Sequence, residues 1–169
     1  MLSKFLIVAI FFNCNIVFAK SICTEKYDRA KFNYDIDFDS DCETTRAEVL
    51  IERKLDNVIL SKNCKVKNGK WIDEYTNEYL YDPKQLQIDH LISLKEAWEL
   101  GACNWTPEKR TQFANDHLNL VITSSVINMS KGAKTLNEWS PRANKCKIIT
   151  QARNVALKYE LNNYKAPNC

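Results

Sequence analysis

Asp89 and His90 stand side by side, and three polar residues further along, Asn119, Asn128 and Lys131, are placed to meet them. Asn128 and Lys131 are three apart, so on a helix they share one face. Aspartate and asparagine are oxygen ligands, and a hard cation such as Mg²⁺ takes few protein oxygens while keeping positions open for phosphate and water. An imidazole titrates near neutral pH and can take a proton from an attacking water. A cation beside it stabilises charge on the scissile phosphate and the departing 3′ oxygen. The set therefore suits metal-assisted hydrolysis of a phosphodiester. Each member also has a blander reading. His90 alone is a satisfied structural histidine, Asp89 a turn residue, Asn119 a cap and Asn128 a surface helix residue. Lys131 is read either as a solvated cation at a helix end or as a contact to phosphate and transition-state charge.

Strand, helix and turn signals place these residues at junctions. Leu86 and Ile88 alternate with Gln85, Gln87 and Asp89, which predicts a short strand ending near His90. Ser93 to Leu100 reads as a helix closed by Gly101, and Thr106-Pro107-Glu108 as a capped second helix running to about Asp116. Leu118 to Thr123 is the next strand, opened by Asn119; Ser124 or Ser125 then caps a helix through Lys131, stopped at Gly132. Upstream, Glu43 to Leu55 has helical spacing at Ala47, Leu50, Ile51 and Leu55, with Asp41 or Thr44 as the cap. Residues 61–84 read as a polar stretch with an Asn68-Gly69 turn. Residues 147–161 read as a last helix with Ile148, Ala152, Val155, Ala156 and Tyr159 on one face. The centre is thus strand, helical insert, strand, helix, within a single α+β domain.

The chain of 169 residues is long enough for one core, and 45% hydrophobic with 27% charged residues excludes disorder. Three glycines and four prolines exclude a collagenous or low-complexity chain. A net charge of +3 permits nucleic-acid binding without announcing it. Met1–Lys4, the apolar run from Phe5 to Phe12 and Val17-Phe18-Ala19 predict a secretory signal peptide cleaved after Ala19. Its removal lowers the net charge to +2 and leaves six cysteines, Cys23, Cys42, Cys64, Cys103, Cys146 and Cys169. An even set in an exported chain reads as three disulfides of undetermined pairing. No CxxC pair and only two histidines argue against a zinc finger or ribbon. No later segment is apolar enough to span a membrane, so a secreted or periplasmic monomer without a membrane anchor is expected.

The segment IDHLISLKEAWELGACNWTPEKRTQFANDHLNLVITSSVINMSKG, residues 88–132, resembles the secreted HNH nucleases related to the C-terminal domain of GmrSD-type restriction enzymes. Its ordered elements are the DH dipeptide, a Leu-x-x-Ala-Trp helix, Gly-Ala, a Trp, Phe-Ala-Asn-Asp, Asn-Leu and Asn-x-Ser-Lys-Gly. Tyr27-x-Arg29-x-x-Phe32, Thr45-Arg46-x-Glu48-Val49-Leu50 and Glu138-Trp139-x-Pro141 extend the likeness over nearly the whole mature chain. The resemblance implies a ββα-metal motif surrounded by helices and stabilised by disulfides, in one domain over residues 20–169. It implies His90 as general base, Asp89 and Asn128 as metal ligands, and Asn119 as the residue that holds the loop and orients His90. Arg46 becomes a substrate-binding candidate by resemblance, with an ion pair to the acidic run as its alternative. Asn128 stands where many HNH proteins have a final histidine, and an oxygen there favours Mg²⁺ or Mn²⁺ over Zn²⁺. The implied function is an exported endonuclease using one divalent cation to cut DNA, with RNA as a further substrate, leaving 5′-phosphate and 3′-hydroxyl ends. Little sequence specificity is expected, because no base-reading module is visible. The alternatives are an inactive disulfide-bonded binding module on the same fold and a hydrolase of some other phosphodiester.

Several features lie outside that pattern. Asp37-x-Asp39-x-Asp41 has a Glu48 at calcium-loop position 12, but Cys42 occupies the glycine position, so a capped, disulfide-anchored turn is the better reading. His117 fits no motif position and reads as surface or substrate edge. Trp98, Trp105, Phe113 and Trp139 read as core, and Tyr75, Tyr79 and Tyr81 as core edge or base-stacking surfaces. Lys62, Lys65, Lys67 and Lys70 form the clearest basic cluster, either a phosphate path or a solvated loop.

Overall fold

A computed structural model of the chain describes residues 23–169, so the expected signal peptide lies outside the described residues. A 3-10 turn at Arg29–Phe32 precedes α1 (Thr45–Glu52). Four short strands follow: β1 (Ile59–Leu60), β2 (Val66–Asn68), β3 (Trp71–Ile72) and β4 (Tyr79–Leu80). Then come β5 (Leu86–His90), α2 (Leu94–Glu99), α3 (Pro107–Asn115), a 3-10 turn at His117–Asn119, β6 (Leu120–Ser124), α4 (Ser125–Lys131) and α5 (Lys145–Lys158). The strands form three antiparallel pairs, β1–β2, β3–β4 and β5–β6. Among the described residues no helix is long and apolar enough to cross a membrane.

The caps explain why the elements stop where they do. The hydroxyls of Ser93, Thr106 and Ser124 accept the backbone N–H three residues on, opening α2, α3 and α4. Pro107 sits at the start of α3, where its missing N–H costs nothing. Gly132 closes α4 at φ 54°, a left-handed conformation that a side chain would strain. Two expectations needed correction. Helix α1 ends at Glu52 rather than Leu55, and Leu55 is exposed while Val49 is fully buried, so the buried face is Ala47, Val49 and Leu50. The polar stretch 61–84 contributes strands β2 to β4, too short to show an alternating pattern. Gly69 belongs to close packing: a Cβ there would fall 2.6 Å from Trp71 Cζ2, inside any tolerable contact.

Two cores flank the β5–β6 pair. The larger gathers Phe32, Trp98, Phe113, Val121, Ile148, Ala152 and Val155, and the smaller Val49, Leu50, Trp71, Leu86, Leu120 and Ile122. The register pairs Ile88 with Ile122, Asp89 with Val121 and His90 with Leu120. Opposed residues of an antiparallel pair share a face and neighbours alternate. His90 therefore leaves the sheet on the side of Leu120, and Asp89 on the side of Val121. Trp105 and Trp139 are half-buried at the core edge, while Tyr79 and Tyr81 are exposed.

Cys23 is joined to Cys103 and Cys42 to Cys64, both with Cα atoms 5.8 Å apart. The bridges span 80 and 22 residues. Loop-closure entropy assigns them about 4.5 and about 3.4 kcal/mol. The remaining pair, Cys146 and Cys169, is exposed and unbridged in this structure, with Cys169 Sγ 3.9 Å from the Cys146 carbonyl oxygen. That proximity leads to a definite expectation. Non-reducing peptide mapping of protein purified from an oxidising compartment should recover Cys146 linked to Cys169. Recovery of both as alkylated thiols would contradict it.

Candidate active site

Asp89 and His90 end β5, and α4 packs against the same strand pair, so the local chain order strand, strand, helix brings Asn128 to them. Asp89, His90 and Asn128 line one surface cavity of about 390 Å³, together with Tyr27, Arg29 and Ser93. His90, Asn128 and Arg29 also line the neighbouring cavity, with Arg46 and Ala114.

The two faces of β5 give the two reactive residues different surroundings. Asp89 Oδ2 accepts a hydrogen bond from the Tyr75 hydroxyl at 2.8 Å and lies 2.9 Å from the Lys131 ammonium. Burial, and then the adjacent Asp89 charge, raise the Tyr75 phenol well above its usual range, so it stays a donor. Both partners converge on one oxygen. Among the described residues Oδ1 has no hydrogen-bond partner, and neither has the Asn128 side-chain amide. Tyr75 reaches Asp89 because the segment before it is stitched to β6. The buried Asp73 carboxylate accepts from the Thr123 hydroxyl and the Ser124 N–H, and Glu74 accepts from the Ile122 N–H.

His90 Nε2 lies 2.8 Å from the Ala114 carbonyl oxygen. A carbonyl only accepts, so Nε2 carries the proton in the neutral ring and Nδ1 presents a lone pair. Burial pushes the imidazole down to about 4, with the Ala114 hydrogen bond and then the Asp89 charge opposing it and the Arg29 and Lys131 charges adding to it. The ring is therefore an uncharged acceptor at neutral pH. Asn119 is fully buried and grips the loop beyond His90: its Oδ1 accepts from the Ile92 N–H at 3.0 Å, and its Nδ2 donates to the Ile92 carbonyl at 3.1 Å. It ends the 3-10 turn before β6 instead of opening the strand, and its side-chain bonds go to the Ile92 backbone rather than to the imidazole.

Lys131 corrects both readings of its role. It is neither a solvated cation nor open to phosphate, because it is fully buried, with its ammonium on Asp89 and 2.8 Å from the His90 carbonyl oxygen. A charge in the interior needs an opposite charge and hydrogen bonds, and Lys131 finds both at the end of β5. Arg46 uses its guanidinium on the carbonyls of Pro83 and Leu86, at 2.7 and 3.0 Å. It thereby pins the start of β5 to α1, and Asp35 meets its backbone N–H. His117 bridges Glu48 and Glu52 on α1, away from the cavity. Arg29 is the cavity residue that spacing alone did not single out; it stands far from Asp89 in the sequence, so no local pattern links them.

Glu96 on α2 is a second buried charge near Lys131. Burial raises it from 4.5 to about 7, with the Lys131 charge the largest opposing influence, and its Oε2 has no hydrogen-bond partner among the described residues. Between pH 4.5 and about 7 the folded protein keeps a proton that the unfolded chain has released. Stability should fall through that window by on the order of 3 kcal/mol and level off above it. Denaturant unfolding at several pH values would show the slope, and Glu96→Gln should flatten it. A variant with the wild-type slope would assign the effect elsewhere.

The family model described as "GmrSD restriction endonucleases, C-terminal domain" matches residues 32–166. A protein of Arthroderma benhamiae, described as an uncharacterized secreted protein, is 32% identical over 117 residues, which is 68% of this chain. The match spans 56% of that relative's length. No solved structure matches.

Proposed function

Because the chain belongs to the family of the GmrSD restriction endonuclease C-terminal domain, a nuclease-related family, we propose that it is an exported, metal-dependent HNH endonuclease of DNA, with RNA as a further substrate. The observation that carries this reading is the cavity shared by Asp89, His90 and Asn128, in which one carboxylate oxygen, one amide and one imidazole nitrogen have no hydrogen-bond partner among the described residues. Export rests on the leader-like N-terminus and the secreted relative. Cleavage after Ala19 and a single nuclease domain over residues 20–169 are part of the same proposal.

The donor set fits a hard divalent cation. Asp89 Oδ1 and the Asn128 side-chain oxygen are hard oxygen donors on one cavity, and the Lys131 contact on Oδ2 keeps the carboxylate aimed. When bound, Mg²⁺ or Mn²⁺ would supply charge stabilisation to the scissile phosphate and the departing 3′ oxygen. The rest is the work of the chain. His90 Nδ1 accepts a proton from water as its oxygen forms the new bond to phosphorus, while Nε2–H stays on the Ala114 carbonyl and keeps the ring from turning. The bond from phosphorus to the 3′ oxygen breaks and that oxygen takes a proton from solvent, leaving a 5′-phosphate and a 3′-hydroxyl. The Arg29 cation at the rim attracts the phosphate. Asn119 and Lys131 act through the backbone around His90 and through Asp89, as positioning residues.

Plasmid DNA and RNA incubated with oxidised protein should be cut in Mg²⁺ or Mn²⁺ and left intact in EDTA. Asn128→Ala should raise the metal concentration needed for half-maximal rate about tenfold or more. Failure of properly oxidised protein to cut either polymer at any metal concentration would overturn the proposal in favour of an inactive binding module.

A further inference from the structure

Beside the candidate site lies a second cleft of about 360 Å³, between α1 and the β1–β2 hairpin. Asp35 and Arg46 line both this cleft and the cavity that holds His90, so the two adjoin across that pair. Lys65, Lys67 and Lys84 line it, all three exposed, and among the described residues none has a carboxylate within ion-pair distance. With Arg46 they set four cations against the carboxylates of Asp35 and Asp82. Both of those are engaged by backbone, Asp35 accepting the Arg46 N–H and Asp82 the Lys84 N–H. The Cys42–Cys64 bridge lines the cleft too and joins the loop carrying Lys65 to the segment entering α1. The basic cluster seen in the sequence is thus divided. Lys65 and Lys67 face the cleft, whereas Lys70 lies over the ring of Tyr79 at 4.2 Å.

We propose that this cleft is a phosphate track: Lys65, Lys67 and Lys84 hold the phosphodiester backbone of the nucleic-acid strand to one side of the bond that is cut. The inference rests on the nuclease reading of the His90 cavity. Unpaired lysines converging on a concave surface that opens beside Arg46 have the charge that a polyanion requires, and the bridge keeps the hairpin from swinging away with its cations. Such contacts carry no base information, which accords with little sequence specificity.

The test is binding of fluorescein-labelled oligonucleotides, single-stranded and duplex, to the full mature protein in EDTA across a salt series. The triple variant Lys65→Gln/Lys67→Gln/Lys84→Gln should bind at least tenfold more weakly at low salt. Its slope of log affinity against log salt should be shallower by about 2 units on single strands and about 2.7 on duplex, one lost contact per lysine. Lys145→Gln/Lys147→Gln, on exposed positions of α5 outside the cleft, should match the wild type. Should the triple variant fail to fold, Lys84→Gln alone should lower the slope by about 0.8. A triple variant with the wild-type slope, or a control that weakens equally, overturns the track while cleavage by the wild type leaves the nuclease reading standing. A wild type that neither binds nor cuts overturns both.

Discussion

His90→Ala should slow metal-dependent cleavage of plasmid DNA by about 100- to 10,000-fold, the range lost when a positioned general base is removed. The fold should survive. The ring's structural bond is the one to the Ala114 carbonyl, whose loss costs about 1–3 kcal/mol. Circular dichroism and a thermal melt near the wild-type value would establish that the lost rate is chemical. His90→Gln should be equally slow, because its amide N–H can donate to the Ala114 carbonyl yet the amide cannot take the proton from water. A His90→Ala protein cutting at the wild-type rate would remove His90 from the mechanism.

Lys131→Met should be the most damaging single change to stability among the site residues. It removes the cation from a buried pair and leaves the Asp89 carboxylate in the interior with, among the described residues, only the Tyr75 hydroxyl bonded to it, a loss of about 3–5 kcal/mol. For a chain of this size that lowers the midpoint of thermal unfolding by roughly 10 °C. The double variant Lys131→Met/Asp89→Asn should recover part of the loss, since no buried charge is left over, and should remain inactive for want of the carboxylate. Thermal and denaturant unfolding of the three variants decides the matter. A Lys131→Met protein within 1 kcal/mol of wild type, taken as about the worth of an exposed pair, would mean the ammonium is solvated after all.

Much of the frame was legible from local signals. Ser93, Thr106-Pro107, Ser124 and Gly132 mark helix ends because capping and φ preferences act over three or four residues, and the structure places α2, α3 and α4 at those marks. The alternation at Leu86 and Ile88 marked β5, which ends at His90 as expected. The short strands between Ile59 and Leu80 were not legible. A strand of two or three residues has no period to read, and its pairing is set by the turn and by Trp71 packing on α1. Leu55 misled because helical spacing does not say where a helix ends.

For the candidate site the division is similar. By itself the sequence determined which groups are available, Asp89, His90, Asn119, Asn128 and Lys131, and that the chain carries an even set of cysteines after its leader-like segment. These follow from residue type and close spacing. Only the tertiary structure decided what each group faces. It turned Asp89 and His90 to opposite sides of β5, set Tyr75 and Lys131 on one oxygen of Asp89, put Ala114 behind His90, and brought Arg29 to the cavity. It also carried Lys131 into the interior, where an ammonium serves the carboxylate and not the solvent. These are contacts between segments distant along the chain, and no local propensity encodes them; they exist because the two cores close on either face of β5 and β6.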